Sequence, residues 1–86
     1  MKNLFLIANP ASGTGKIKTQ LFSVISILSR QYRVTVYITE KRGDATEQSA
    51  KLDSSFDTIV VCGGDGTLNE VITGIQQNKN KFRLGY

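Results

Sequence analysis

The stretch Thr58-Ile59-Val60-Val61-Cys62-Gly63-Gly64-Asp65-Gly66-Thr67-Leu68-Asn69-Glu70 decides how this chain folds. Thr58 to Cys62 is unbroken, β-branched and mostly apolar, the composition of a central strand covered on both faces. Directly behind the glycines, Leu68, Val71, Ile72 and Ile75 recur at i, i+3, i+4 and i+7, the stripe of an amphipathic helix from Thr67 to about Gln77. Thr67 and Glu70 stand at capping-box spacing at its start. A buried strand turning through glycines into a helix is the repeating unit of an α/β domain.

The same unit occurs twice upstream. Asn3 to Ala8 is a short apolar run closed by Asn9-Pro10 and predicts a buried strand, and Leu21, Val24, Ile25 and Leu28 mark a helix from about Thr14 to Arg30. Arg33 to Thr39 is rich in β-branched and aromatic residues and predicts the second strand. Gly43-Asp44 then opens a weaker helix ending near Lys51 or Leu52, with Asp44 as N-cap and Glu47 in the first turn. Phe82 to Tyr86 has the look of a fourth strand with no helix behind it. The expected fold is therefore a Rossmann-like three-layer α/β/α arrangement with a mainly parallel sheet, truncated at the start of a fourth strand, and the whole reads as the N-terminal part of a larger domain.

Composition narrows the chemistry. With 86 residues there is room for one small domain, and 40% hydrophobic content with one proline is that of a folded chain rather than a disordered tail. One cysteine, Cys62, and no histidine exclude an intramolecular disulfide, a cysteine-based zinc site and any His-dependent nucleophile. Leu4 to Ala8 is too short for a signal segment or a membrane span, so a cytoplasmic protein is the expectation. Eleven basic residues against seven acidic give +4, but the local excesses at Lys16/Lys18, Lys41/Arg42 and Lys79/Lys81/Arg83 are interleaved with a single aromatic, Phe82, which makes no stacking platform. Nucleic acid is accordingly not an expected partner; solvated faces, with weak attraction to phosphate or an anionic membrane, account for these charges.

Ligands of open α/β sheets bind outside the carboxyl ends of the strands, where both glycine clusters fall. The first, Asn9-Pro10-Ala11-Ser12-Gly13-Thr14-Gly15-Lys16, is neither a P-loop, because Pro10 and Ile17 occupy required Gly and Ser/Thr positions, nor G-x-G-x-x-G, because Lys18 stands at the third glycine. A plain strand-to-helix turn capped by Ser12 or Thr14 accounts for it equally well. The second has three glycines in four positions, each costing about 0.5–1 kcal/mol against alanine in regular structure. Backbone N–H groups turned toward phosphate oxygens give that composition a reason. Asp65 would then act through a metal or water bridge, or shape the loop. Thr39 offers a hydroxyl at the same sheet edge, within a segment that solvated turn residues also explain.

Taken together, Asn9-Pro10-Ala11-Ser12-Gly13, Thr39 with Gly43-Asp44-Ala45, and Gly63-Gly64-Asp65-Gly66-Thr67-Leu68-Asn69-Glu70 resemble the start of the diacylglycerol kinase catalytic domain family. That resemblance covers essentially the whole chain. It implies ATP as cofactor with Mg2+, contacted by Asn9, Pro10, Ala11, Ser12, Gly13, Thr39, Gly63, Gly64, Asp65, Gly66, Thr67, Leu68, Asn69 and Glu70; the metal ligands are left open, with Asp65 through water one candidate. It implies phosphoryl transfer to a lipid hydroxyl such as that of diacylglycerol, at a membrane surface with peripheral association. The family's later glycine-threonine-glycine-asparagine-aspartate loop and its β-rich second domain, carrying the catalytic base and metal-linked residues, are not in these 86 residues. The expectation is thus an ATP-binding portion inactive by itself, with no catalytic residue of its own, whose open strand edge favours a homo-oligomer. The alternatives are an NAD kinase-type enzyme, which shares the Gly-Gly-Asp-Gly-Thr loop, and a non-catalytic nucleotide-binding or dimerising module.

Overall fold

In the computed structural model, which describes residues 1–11 and 16–86, strands and helices alternate as β1 (Lys2–Ala8), α1 (Lys16–Leu28), β2 (Tyr32–Ile38), α2 (Asp44–Lys51), β3 (Phe56–Cys62), α3 (Asp65–Gln77) and β4 (Arg83–Gly85). All four strands run parallel, in the order β2-β1-β3-β4. The chain steps outward from β1 to β2, returns across β1 to β3, and continues to β4. Right-handed crossovers taken in opposite directions place their helices on opposite faces, so α1 lies on one side of the sheet and α2 and α3 on the other. The reversal between β1 and β3 opens a crevice at the carboxyl ends of the strands.

β1 shows why its sequence is continuously apolar. Phe5 and Ile7 face the α2/α3 side, where they join Ala45, Leu52, Ile59, Val61 and Val71 in the core, bordered by Tyr37, Phe56, Leu68, Ile75 and Phe82. Leu4, Leu6 and Ala8 face the α1 side and are equally buried. Burying each such aliphatic side chain contributes about 1.5–3 kcal/mol. Phe56 meets Phe5 edge-on with ring centroids 5.4 Å apart, within the range of favourable aromatic pairs.

The α1 side is the thinner layer. Registered with Leu6 and Ala8, Val36 and Ile38 on β2 remain 37% and 43% exposed. Val60 on β3 is half-buried, so β3 is sealed on the α2/α3 face and less completely on the other, short of the full coverage its composition predicts. Phe22 and Ile27 on α1 point away from its apolar stripe and are exposed.

Two helix starts differ from expectation. α3 begins at Asp65 rather than Thr67, with Gly64 in extended backbone as the N-cap and no side-chain cap. Thr67 is thus the third helical residue, and the Thr67/Glu70 capping box does not form. α2 is capped by Gly43 in the left-handed region, φ +88°, and not by the Asp44 side chain. The Asp44 N–H donates to the Lys41 carbonyl at 3.2 Å, closing a turn whose third residue needs the positive φ that glycine adopts without strain. The predicted caps Ser12 and Thr14 of α1 lie outside the described residues.

Candidate functional site

Three strand ends converge on one cleft. Asn9, Pro10 and Ala11 follow β1, Thr39, Glu40, Lys41 and Arg42 follow β2, and Gly64, Gly66, Thr67 and Glu70 come from the β3–α3 turn and the first turns of α3, with Ala45 of α2 completing the lining. Its volume is about 440 Å³, within the roughly 300–1,000 Å³ of small-molecule sites. Backbone hydrogen bonds extend the sheet into its floor: Asn9 N–H to the Cys62 carbonyl and Thr39 N–H to the Ala8 carbonyl, both at 2.9 Å.

Asn9 is fixed from both ends of its amide. Its Nδ2 donates to Thr67 Oγ1 at 3.1 Å, and its Oδ1 accepts the Ala11 N–H at 3.0 Å. Thr67, only 6% exposed, therefore uses its hydroxyl to join the loop after β1 to α3. The first intrahelical bond of α3 runs from Leu68 N–H to the Gly64 carbonyl at 3.1 Å. The N–H groups of its opening residues are left with no side-chain cap, at the helix end that favours anions.

The glycines of this turn serve different ends. Among the described residues only Gly43 has a positive φ, so Gly63, Gly64 and Gly66 are not there to permit left-handed backbone. At Gly63 a Cβ would come within 2.8 Å of Thr67 Cβ and Oγ1, so glycine lets the hydroxyl sit where Asn9 reaches it. At Gly66, which borders the cleft, a Cβ would meet nothing within 4 Å, so packing does not require glycine there.

The wall after β2 was the least legible part. Asp44, 5% exposed, accepts the Tyr37 hydroxyl at 3.0 Å on Oδ1 and the Glu40 N–H at 2.8 Å on Oδ2. The Glu40 N–H foremost, then the Tyr37 hydroxyl and the charge of Lys41, hold this carboxyl below the usual aspartate range against the opposing effect of burial. The bond to Asp44, followed by burial, pushes the Tyr37 phenol up. Glu70 turns its carboxylate to the same segment, with Oε1 accepting the Gly43 N–H at 3.1 Å, and its carbonyl accepts the Thr46 hydroxyl at 2.9 Å.

Not every expected contact residue shares the cleft. Asn9, Pro10, Ala11, Thr39, Gly64, Gly66, Thr67 and Glu70 line it. Ser12 and Gly13 lie outside the described residues. Gly63 lines a smaller space of about 230 Å³ on the α1 side, with Cys62 and Tyr86. Asp65 is exposed and receives the Tyr86 hydroxyl at 3.4 Å, Leu68 packs on the core, and Asn69 is exposed with its carbonyl accepting the Thr73 hydroxyl. Glu40, Lys41 and Arg42 were not expected in the lining; their place at the carboxyl end of β2, an edge strand of the parallel sheet, was the available signal. Burial pushes the Cys62 thiol up and keeps it protonated near neutrality. Among the described residues no three His, Cys, Asp or Glu side chains gather as a metal-binding group, and no helix is long and apolar enough to cross a membrane.

The comparisons with known proteins agree with this architecture. A diacylglycerol kinase of Staphylococcus saprophyticus is 42% identical over 86 residues, covering 98% of this chain and 28% of that protein. One from Staphylococcus haemolyticus is 44% identical over 82 residues, covering 93% of this chain and 25% of its own length. The chain thus spans little more than a quarter of these relatives. The crystal structure of a diacylglycerol kinase from Bacillus anthracis superposes with a TM-score of 0.86 at 31% identity, over 96% of this chain and 31% of that one. The family model of the diacylglycerol kinase catalytic domain matches residues 3–86, a span that takes in the four strands but for Lys2 and the three loops of the cleft, and the chain belongs to that family.

Proposed function

We propose that the cleft binds ATP and that the protein transfers its γ-phosphate to a lipid hydroxyl such as that of diacylglycerol. The observation that carries this reading is the meeting of three strand-end loops around an uncapped helix N-terminus, with Gly66 leaving open space there. Phosphate oxygens accept hydrogen bonds from free N–H groups of this kind. Lys41 and Arg42 line the same cleft and supply positive charge opposite a polyphosphate. The relatives named above carry the kinase description that gives the acceptor its class.

The residues suit a nucleotide-borne magnesium ion better than a protein-held one. Mg2+ commonly takes one or two carboxylates and completes its shell with phosphate and water, and the described residues bring no three His, Cys, Asp or Glu side chains together. When bound, the ion neutralises charge on the transferring phosphoryl group. Asp65, at the first position of α3 but outside the cleft lining and bonded to the Tyr86 hydroxyl at 3.4 Å, is the carboxylate we place toward it, reaching it only through water. Residues 1–86 orient the nucleotide: Asn9 and Thr67 hold the first loop against α3, and the α3 N–H groups face the phosphates. We assign no residue here to proton transfer from the lipid hydroxyl, and residues 1–86 by themselves are expected to bind nucleotide without turning over.

The test is calorimetric titration with Mg-ATP, together with labelled-phosphate transfer to diacylglycerol vesicles by the full-length protein. Saturable ATP binding and lipid labelling, both reduced by Asp65→Ala with an unchanged melting temperature, are expected. Full turnover and unaltered ATP dependence in Asp65→Ala would contradict the role given to that residue. No binding of ATP to the wild type would contradict the reading as a whole.

A further inference from the structure

The segment Thr39–Gly43 crosses the mouth of the cleft between β2 and α2 and contributes four lining residues, two of them cations. A five-residue connection of this kind has little packing of its own: Glu40, Lys41, Arg42 and Gly43 are all exposed. Its backbone is nevertheless tied at both ends by carboxylates from outside the segment. Asp44 takes the Glu40 N–H and is itself braced by the Tyr37 hydroxyl, while Glu70, from the neighbouring helix α3, takes the Gly43 N–H. Thr39 N–H is held by the Ala8 carbonyl.

We infer that Asp44 and Glu70 are positioning residues that hold the Thr39–Gly43 crossing at a fixed depth in the cleft wall, so that Thr39, Lys41 and Arg42 meet the nucleotide without first being ordered. This rests on the nucleotide reading of the cleft. Glu70 thereby acts through the Gly43 N–H rather than on the ligand: an ionised carboxylate has no donor to offer phosphate oxygens, and its Oε1 is engaged by the wall. A pre-formed wall raises affinity by removing the ordering entropy that binding would otherwise have to meet.

Glu70→Ala removes the acceptor, whereas Glu70→Gln keeps an amide oxygen able to accept the same N–H. Mg-ATP affinity is measured by calorimetry on the purified protein, and exchange of the Glu40 and Gly43 amides by NMR in the absence of nucleotide. Glu70→Ala should weaken ATP binding about tenfold and release the Gly43 amide, with Glu70→Gln restoring both. Tyr37→Phe, which leaves Asp44 in place, should give a smaller loss, about threefold, with faster exchange at Glu40. Equal weakening by Glu70→Ala and Glu70→Gln with the Gly43 amide still protected would overturn the inference, since Glu70 would then touch the nucleotide itself. Wild-type affinity in Glu70→Ala and Tyr37→Phe despite freely exchanging amides would overturn it too, leaving the nucleotide reading intact. Failure of the wild type to bind ATP would overturn both, and the amides would still show whether the two ties exist.

Discussion

Gly66 separates the demands of folding from those of binding. It is the second residue of α3, has no positive φ, and a Cβ there would meet no atom within 4 Å. Alanine is the better helix former by about 0.8–1 kcal/mol. Gly66→Ala should therefore match or exceed the wild type in thermal unfolding and yet bind ATP more weakly, because it adds a methyl to a residue of the cleft lining at the helix end proposed to receive the phosphates. A variant that melts higher and binds ATP as tightly as the wild type would remove Gly66 from the site. Asp44 gives a second test at this scale. Its folded-state pKa lies below the unfolded value, so its contribution is present above the unfolded pKa and lost as pH falls through the folded one. The groups acting on it are the Glu40 N–H, the Tyr37 hydroxyl and Lys41, while the charges of Glu40 and Glu47 act on Tyr37. Protection of the Glu40 amide should persist at pH 4 and disappear only on further acidification, whereas a loss between pH 6 and 5 would mean that Asp44 is not the acceptor.

At the scale of elements, the contact of α2 with α3 supports the cleft wall from behind. Gly74 is buried in it, and a Cβ there would stand 2.5 Å from the Thr46 carbonyl oxygen and 2.6 Å from Ser49 Cβ. Neither can yield without moving a helix, so Gly74→Ala should destabilise by about 1–3 kcal/mol or more in urea unfolding. Ser49 faces it, fully buried, with no hydrogen-bond partner for its Oγ among the described residues. Ser49→Ala removes an unsatisfied polar atom and should leave stability unchanged or raised. If Gly74→Ala is harmless, the helices are not in this contact. At the far end, Asn78 Nδ2 donates to the Ser49 and Leu52 carbonyls at 2.9 and 2.8 Å, closing α2 from the end of α3.

The elements themselves were legible because periodicity is a local property. The stripe Leu68, Val71, Ile75 does reach the core, and Thr58 to Cys62 is a strand at the centre of the sheet. The start of α3 was not, since a Thr-x-x-Glu spacing describes a capping box and equally two residues on one face inside a helix. Asn9, 58 residues away in sequence, decides between them by binding Thr67 Oγ1. The Tyr37–Asp44 brace was hidden for a related reason: it depends on where the end of β2 meets the first turn of α2. The apolar stripe of α1 was correctly read as amphipathic, but periodicity says nothing of how completely one helix covers a sheet face, and Val36 and Ile38 stay exposed.

Over the whole molecule, strand order, the reversal at β1/β3 and three separately encoded loops place one cleft at one end of the sheet. The central claim is that nucleotide phosphates occupy it. Amide chemical-shift mapping of the isotope-labelled protein during titration with Mg-ATP tests this most directly. The account predicts saturable shifts at Asn9, Ala11, Thr39, Gly64, Gly66 and Thr67, with the amino ends of the strands around Lys2 and Ser55 unmoved. Shifts centred instead on Cys62, Tyr86 and the α1 side of the sheet, or none at saturating ATP, would contradict it.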